Sequence, residues 1–530
     1  MSVQHDARSI PTGSTLEPDV CVVGAGPAGI TIALTLARAG AKVLLLDSGG
    51  QTEEADTQEF AKGVSVGNPY FPLHKTRVRG FGGTSLHWLT FGLFRAAPLA
   101  PLDFEKRPGV PHSGWPIDRT DLDPYYEQAT TWCGLGPWDF SVKRWETADR
   151  QAFRPTGDSL DTVIFQIAEV DTWKKRFNEV VSTANLQLLL RAHVVEMRTD
   201  DDGGRIDGLR VRTTADSTFE VKPRITVLAT GGIENARMLL LSRDRHPNGI
   251  GNANDLVGRF FQEHLSIRGG IIEPQSPGLA DRMGLYFKHR NEDTRIHAKL
   301  TVSEKTLREQ HLLNCAFFVT HISASRAQEG TRSFVTWRRA MTWQPKPPNL
   351  SLHAARVLTS LPSVGRTAIQ ELRGKRKPDT LQLLAEAEQA PNPDSRVTLS
   401  PSARDGLGQP RAVLDWRTTE LDRRSIATSQ DIIDQSLRAS GIGRLERKVG
   451  EEQPAGMFSG HWHHMGTTRM HESPRHGVVD ANCRVHDVAN LFVAGSSVFP
   501  TSGYANPTFT IVALALRLAD HLKSELRNGE

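Results

Sequence analysis

The chain has 530 residues, of which 38% are hydrophobic and 23% charged, with 64 basic and 60 acidic side chains giving a formal net charge of +4. That length is more than one compact core holds, so two domains or one large composite are expected. The near-even charge gives no reason to expect nucleic acid, and no apolar run approaches the roughly 18 residues that a membrane span needs.

The first 20 residues lack an apolar core or paired arginines, so no export signal is read there. The four cysteines, Cys21, Cys133, Cys315 and Cys483, are widely spaced. They suggest neither a disulfide framework nor a zinc knuckle, and a cytoplasmic location is expected.

Asp19–Val23 is a short β-branched run that reads as a buried parallel strand, and Gly24-Ala-Gly26-Pro-Ala-Gly29 follows at once. Ile30–Ala39 has helical spacing, Gly40 caps it, and Lys42–Leu46 is the next strand, ended by Asp47. Strand, GxGxxG loop, helix, strand and acid form a complete dinucleotide-binding unit. Gly24 allows the tight turn, Gly26 lets backbone approach a pyrophosphate, and Gly29 lets helix and strand pack closely. The helix N-terminus faces the phosphates and Asp47 the ribose hydroxyls.

Further glycine-rich loops follow along the chain. Arg79 precedes Gly82-Gly83-Thr84, with His87-Trp88 just beyond, and Arg79 is a candidate phosphate partner. Ile225–Ala229 leads into Thr230-Gly231 and a helix start, and Asn490–Ala494 leads into Gly495-Ser496. Several backbone-exposing loops suit one long cofactor held from many sides, and FAD is such a ligand.

Three imidazoles crowd into His461-Trp462-His463-His464, just before Met465-Gly466-Thr467. No HExxH or cysteine pair accompanies them, so no metal is expected. Imidazole suits proton transfer near neutral pH, as alcohol oxidation requires. The run Arg373–Lys377 reads as a solvated loop.

Together these motifs resemble the glucose–methanol–choline family of flavin oxidoreductases. Gly82–Trp88 and Ser496–Thr508 are most similar to its sugar-oxidising branch, which includes pyranose oxidase, glucoside 3-dehydrogenases and C-glycoside 3-oxidases. The resemblance implies an α/β fold: a Rossmann-like FAD-binding domain of the p-hydroxybenzoate hydroxylase-like kind, with a second α+β substrate domain on an antiparallel sheet. The expected FAD-binding domain is discontinuous, at 16–100, 185–265 and 455–530. The substrate domain and its insertions take 101–184 and 266–454. Residues 268–273, 297–301, Ser395–Leu399 and Ala412–Trp416 are expected to roof the flavin, and 325–378 to form a lid or an oligomer contact.

The family's His-x-x-Gly-Thr pattern falls on His463, and its second catalytic position on Asn506. His463 is thus the expected general base and Asn506 the group that holds the substrate oxygen. Pro507 and Thr508 open a helix aimed at the flavin's pyrimidine end. His461 and Trp462 are read as pocket lining, His464 as structural, and Val194 as the end of a strand whose backbone meets the adenine. His87 is read as lying near the flavin, held non-covalently, with a covalent link at His87 as the other reading. Glu263-His264 is read as a structural link. The implied reaction converts a secondary hydroxyl of a sugar or glycoside, at C3 or else C2, to a ketone. Alternatives are a primary alcohol of an aminoglycoside or polyol, a non-catalytic flavoprotein, and a membrane dehydrogenase subunit. The acceptor, oxygen or quinone, is left open.

Overall fold

The computed structural model describes residues 5–88, 94–213, 217–275, 278–321, 380–447 and 458–528. The segment 325–378, and the basic run at Arg373–Lys377 within it, lie outside them.

Among the described residues the strands fall into four sheets. The first is parallel, with spatial order Leu491–Val493, Ile225–Leu228, Val20–Val23, Val43–Leu46 and Leu186–Leu189. Every residue of these strands except Leu186 and Gln187 is buried, as expected of a sheet covered on both faces. The helices Pro27–Arg38 and Thr508–Asn528 pack against each other beside it. Asp47 follows the strand Val43–Leu46, as read from the sequence.

The second sheet is antiparallel, with spatial order Gly443–Arg447, Leu265–Pro274, Leu381–Ala387, Cys315–His321, Thr294–Val302, Leu160–Ala168 and Phe94–Ala96. It contains the expected strands at 268–273 and 297–301. Because side chains alternate along a strand, His297 and Lys299 share one face.

Two expectations are corrected. The strands Arg396–Arg404 and Pro410–Trp416 do not join this sheet. They pair with each other and with Val64–Gly67 in a separate three-stranded sheet, packed on the helix Gly232–Leu241. Period-two alternation identified them as strands but carries no information about which sheet they enter. Val194 does not end a strand: it lies at the start of His193–Thr199, in a fourth sheet.

All four cysteines are buried and free. No helix among the described residues is long and apolar enough to cross a membrane.

Candidate active site

A cavity of about 550 Å³ runs along the ends of the parallel sheet. Its wall includes Gly24, Gly26, Asp47, Arg79, Gly83, Thr84, His87, Trp88, Val194, Thr230, Gly231, Gly495, Ser496, Asn506, Pro507 and Thr508, together with His461, Trp462 and His463. Residues from both ends and the middle of the chain thus meet around one space.

The glycines divide by role. A Cβ on Gly26, Gly231 or Gly495 would meet no atom within 4 Å, so these three leave backbone open to the cavity. Gly24 and Gly29 are closed: a Cβ would come 2.5 Å from the Ala229 carbonyl at Gly24, and 1.9 Å from the Gly24 carbonyl at Gly29. Gly29 and Gly82 are not on the wall. Gly82 donates its N–H to the Ala25 carbonyl at 2.8 Å, tying the two glycine loops together. Open backbone at three loops, with a helix N-terminus at Gly26-Pro27, fits a dinucleotide cofactor.

Asp47 accepts the Ala25 and Gly49 N–H groups, each at 2.8 Å, and burial pushes its carboxyl upward against these bonds. Arg79 lies on the wall, but its charge is shared: it contacts Glu234 at 3.0 Å and the Ser48 hydroxyl at 2.8 Å rather than being left free for a phosphate. Trp88 stacks on Phe94 with ring centroids 4.3 Å apart. His87 packs against Trp462 at 4.9 Å, and burial, then Lys75, lowers it to about 4.

At one end of the cavity His463 meets a set of buried polar groups. Its backbone N–H donates to Glu263 at 2.7 Å, and its Nδ1 lies 2.8 Å from Nδ1 of His264. His264 Nε2 faces the Ser502 carbonyl at 3.3 Å. A carbonyl only accepts, so Nε2 of His264 carries the hydrogen. Burial lowers His264 to about 4 and holds His463 well below the usual imidazole value, so both rings are neutral near pH 7. Neutral His264 then offers a bare Nδ1, and His463 Nδ1–H donates to it. His463 Nε2 is left as a lone pair, 3.4 Å from Asn506 Nδ2.

Glu263-His264, read from the sequence as a structural link, lies against His463. Both touch His463, after a separation of about 200 residues that no local pattern reports. Glu263 is buried, receives the Tyr70 hydroxyl at 2.5 Å, and is raised by burial to about 7 against these bonds. His464, also on the cavity wall, has its Nε2 3.0 Å from the Tyr70 hydroxyl.

Glu386 and Lys299 were not anticipated. Lys299 donates to Glu386 Oε2 at 2.8 Å with both side chains fully buried. The Lys299 ammonium also sits 3.4 Å from the Phe165 ring centroid and 3.8 Å from that of Phe318. Glu386 Oε1 faces His461 at 3.9 Å, His264 at 4.0 Å and Asn506 Nδ2 at 3.4 Å. Burial works to raise this carboxyl, but Lys299 and the surrounding imidazoles hold it below the usual range. The available signal was a charge inside an apolar strand, in Ala298-Lys-Leu-Thr-Val302 and Leu383-Leu-Ala-Glu-Ala387.

His264, Glu386 and His463 are also near enough to one another to ligate an ion. The 2.8 Å Nδ1–Nδ1 separation favours a hydrogen bond. Two nitrogens on a tetrahedral zinc stand about 3.3 Å apart. The Lys299 ammonium already occupies Glu386.

Residues 391–515 match the family model "GMC oxidoreductase", and residues 19–247 match "FAD dependent oxidoreductase". The fructose dehydrogenase large subunit of Gluconobacter japonicus is 24% identical across 98% of this chain and 100% of its own. Paromamine 6'-oxidase of Streptomyces fradiae is 25% identical across 96% of this chain and 92% of its own. A C-glycoside 3-oxidase of Arthrobacter globiformis is 36% identical, but across only 26% of this chain and 25% of its own. Among solved structures, formate oxidase of Aspergillus oryzae superposes with a TM-score of 0.55 at 16% identity, covering 98% of this chain and 100% of its own. With the glycine cradle and these matches at both ends of the sequence, the chain is an FAD-dependent oxidoreductase whose C-terminal part is similar to the GMC oxidoreductases.

Proposed function

We propose that the protein oxidises a secondary hydroxyl of a sugar or glycoside, at C3 in the first instance, to a ketone. One observation carries this reading: His463 presents a bare Nε2 beside the Asn506 amide at the wall of the cavity. Bound FAD supplies the hydride acceptor. His463 Nε2 takes the hydroxyl proton, and the imidazolium so formed keeps its Nδ1–H on His264. Asn506 donates its amide N–H to the substrate oxygen and fixes its direction. Glu386 lies close enough to stabilise the imidazolium. Its charge is tempered by Lys299 so that the resting histidines stay neutral.

Two further atoms support a hydroxyl-rich substrate. Asn506 Oδ1 and His461 Nε2 are buried without hydrogen-bond partners. A simple apolar alcohol would leave them so, at about 1–3 kcal/mol each, whereas a sugar carries the hydroxyls to meet them. The named activities of the fructose dehydrogenase and C-glycoside 3-oxidase relatives agree with a sugar. In this reading 16–100, 185–265 and 455–530 hold the cofactor, and the antiparallel sheet roofs the substrate. The second reading, a primary alcohol on an aminoglycoside, is favoured by the paromamine 6'-oxidase likeness along nearly the whole chain.

The test is anaerobic. The flavin band is followed while free sugars, glycosides, an aminoglycoside and simple alcohols are added. Bleaching by a sugar or glycoside, lost in His463→Ala, supports the proposal, and product analysis then gives the position. Bleaching by the aminoglycoside alone moves the assignment to the primary alcohol. A flavin that none of them reduces removes the sugar reading.

A further inference from the structure

Arg95 lies in the edge strand Phe94–Ala96 of the antiparallel sheet and on the wall of the cavity. Its guanidinium carbon sits 5.0 Å from the Phe318 ring centroid, and its Nε is buried without a hydrogen-bond partner. No carboxylate pairs with it among the described residues. Glu386, whose charge it feels, is already held by Lys299 at 2.8 Å.

The other arginines on this wall are differently placed. Arg77 and Arg79 contact Glu234 at 2.8 and 3.0 Å, and Arg237 contacts Asp405 at 2.6 Å. Among the described residues, Arg95 is the wall arginine that contacts no acid.

Its position ties it to the reacting end. The field of Arg95 reaches His461 and Glu386, and the His461 ring stacks on His463 at 5.6 Å. The carboxylate whose charge reaches Arg95, Glu386, is engaged by Lys299 at 2.8 Å and makes no contact with the guanidinium, and His297 is held neutral by burial, then by Lys299 and Arg95. A guanidinium held against an aromatic ring, with a buried unpartnered Nε–H and no carboxylate in contact among the described residues, is suited to receive an anionic oxygen group.

We propose that Arg95 forms an anion subsite in the cavity that His463 lines, so that the preferred substrate is a sugar or glycoside bearing a carboxylate or a phosphate. This deepens the sugar reading and rests on it. The anion anchors the ring against Arg95 while the oxidised hydroxyl faces His463 and Asn506, and Arg95 acts as a specificity residue without entering the chemistry.

The test compares anaerobic flavin reduction by methyl β-D-glucoside, methyl β-D-glucuronide and glucose 6-phosphate in the holoenzyme, Arg95→Leu and Arg95→Lys. In the wild type one of the anionic sugars is preferred over the glucoside, and which one tells carboxylate from phosphate. Removing one partner of a buried charge pair should lower the anionic-to-neutral ratio by at least about 30-fold in Arg95→Leu, while Arg95→Lys keeps most of it. A wild type that favours the neutral glucoside, or a loss in Arg95→Leu equal for all three, overturns the subsite. So does a flavin reduction potential shifted in Arg95→Leu with the ratio intact, which would assign Arg95 to the cofactor.

If none of the three sugars reduces the flavin, the sugar reading fails by itself, and the subsite is read directly. Acetate or inorganic phosphate at fixed ionic strength should perturb the flavin spectrum saturably in the wild type and not in Arg95→Leu. Absence of that perturbation overturns it.

Discussion

The Lys299 ammonium lies 2.8 Å from Glu386 Oε2, and neither side chain reaches solvent. A fully buried pair of this kind is costly to break and much less costly to replace as a unit. Lys299→Met should destabilise the protein by about 3–5 kcal/mol, because it leaves Glu386 charged and unpaired. The double variant Lys299→Met/Glu386→Gln should recover most of that loss. Urea unfolding of the three proteins checks it; a double variant as unstable as the single would show that the pair acts only through packing.

The same pair predicts a pH effect on the chemistry. Burial lowers Lys299 to about 8 against the pull of Glu386. As pH rises through that value the ammonium is lost, Glu386 acts on the imidazoles without compensation, and His463 becomes the stronger base. The rate of flavin reduction at saturating substrate should therefore step upward near pH 8. A double variant lacking both charges should show no such step.

His264 is expected to act by positioning. His264→Phe removes the acceptor that keeps the hydrogen on His463 Nδ1. The expected loss, about 1–3 kcal/mol for an unsatisfied buried group, corresponds to roughly 5–150-fold in the rate of flavin reduction. His264→Asn, which restores an acceptor, should regain part of it. His463→Ala should cost more, about 10²–10⁴-fold, as removal of a general base does. Both variants should retain their flavin.

The glycine cradle separates space from strain. Gly26 has an ordinary φ of −83° and nothing within 4 Å of a built Cβ. Gly26→Val should leave the apoprotein's thermal transition nearly unchanged yet lower FAD content sharply. Gly29→Ala forces a contact with the Gly24 carbonyl and should destabilise the apoprotein itself. Absorbance ratios and thermal scans of both variants decide it.

His87 packs against Trp462, and its proximity to the flavin is expected to be non-covalent. Acid precipitation should leave the yellow colour in the supernatant. Colour retained in the pellet, and lost from it in His87→Ala, would establish a covalent link instead.

The sequence alone determined the parts of this protein that are local. The run Val20–Gly29 and the acid at Asp47 specify a strand, a phosphate-facing turn and a helix within one short unit, because glycine spacing and β-branched runs act through neighbours a few residues away. The His463–Thr467 and Asn506–Thr508 segments were singled out by their resemblance to a family pattern, which is also local in sequence. What tertiary structure decided was the environment that gives His463 its properties. His264 reaches it from the segment entering the antiparallel sheet, Lys299 and Glu386 from two other strands of that sheet, and Arg95 from its edge. Alternation along those strands marks which residues share a face but not which face covers the cavity, nor which strands will be neighbours. The Arg396–Arg404 and Pro410–Trp416 strands were read correctly as strands and placed in the wrong sheet on that account. A buried lysine or glutamate in an apolar strand becomes intelligible only when the long-range pairing that brings its counter-charge within hydrogen-bond reach is known.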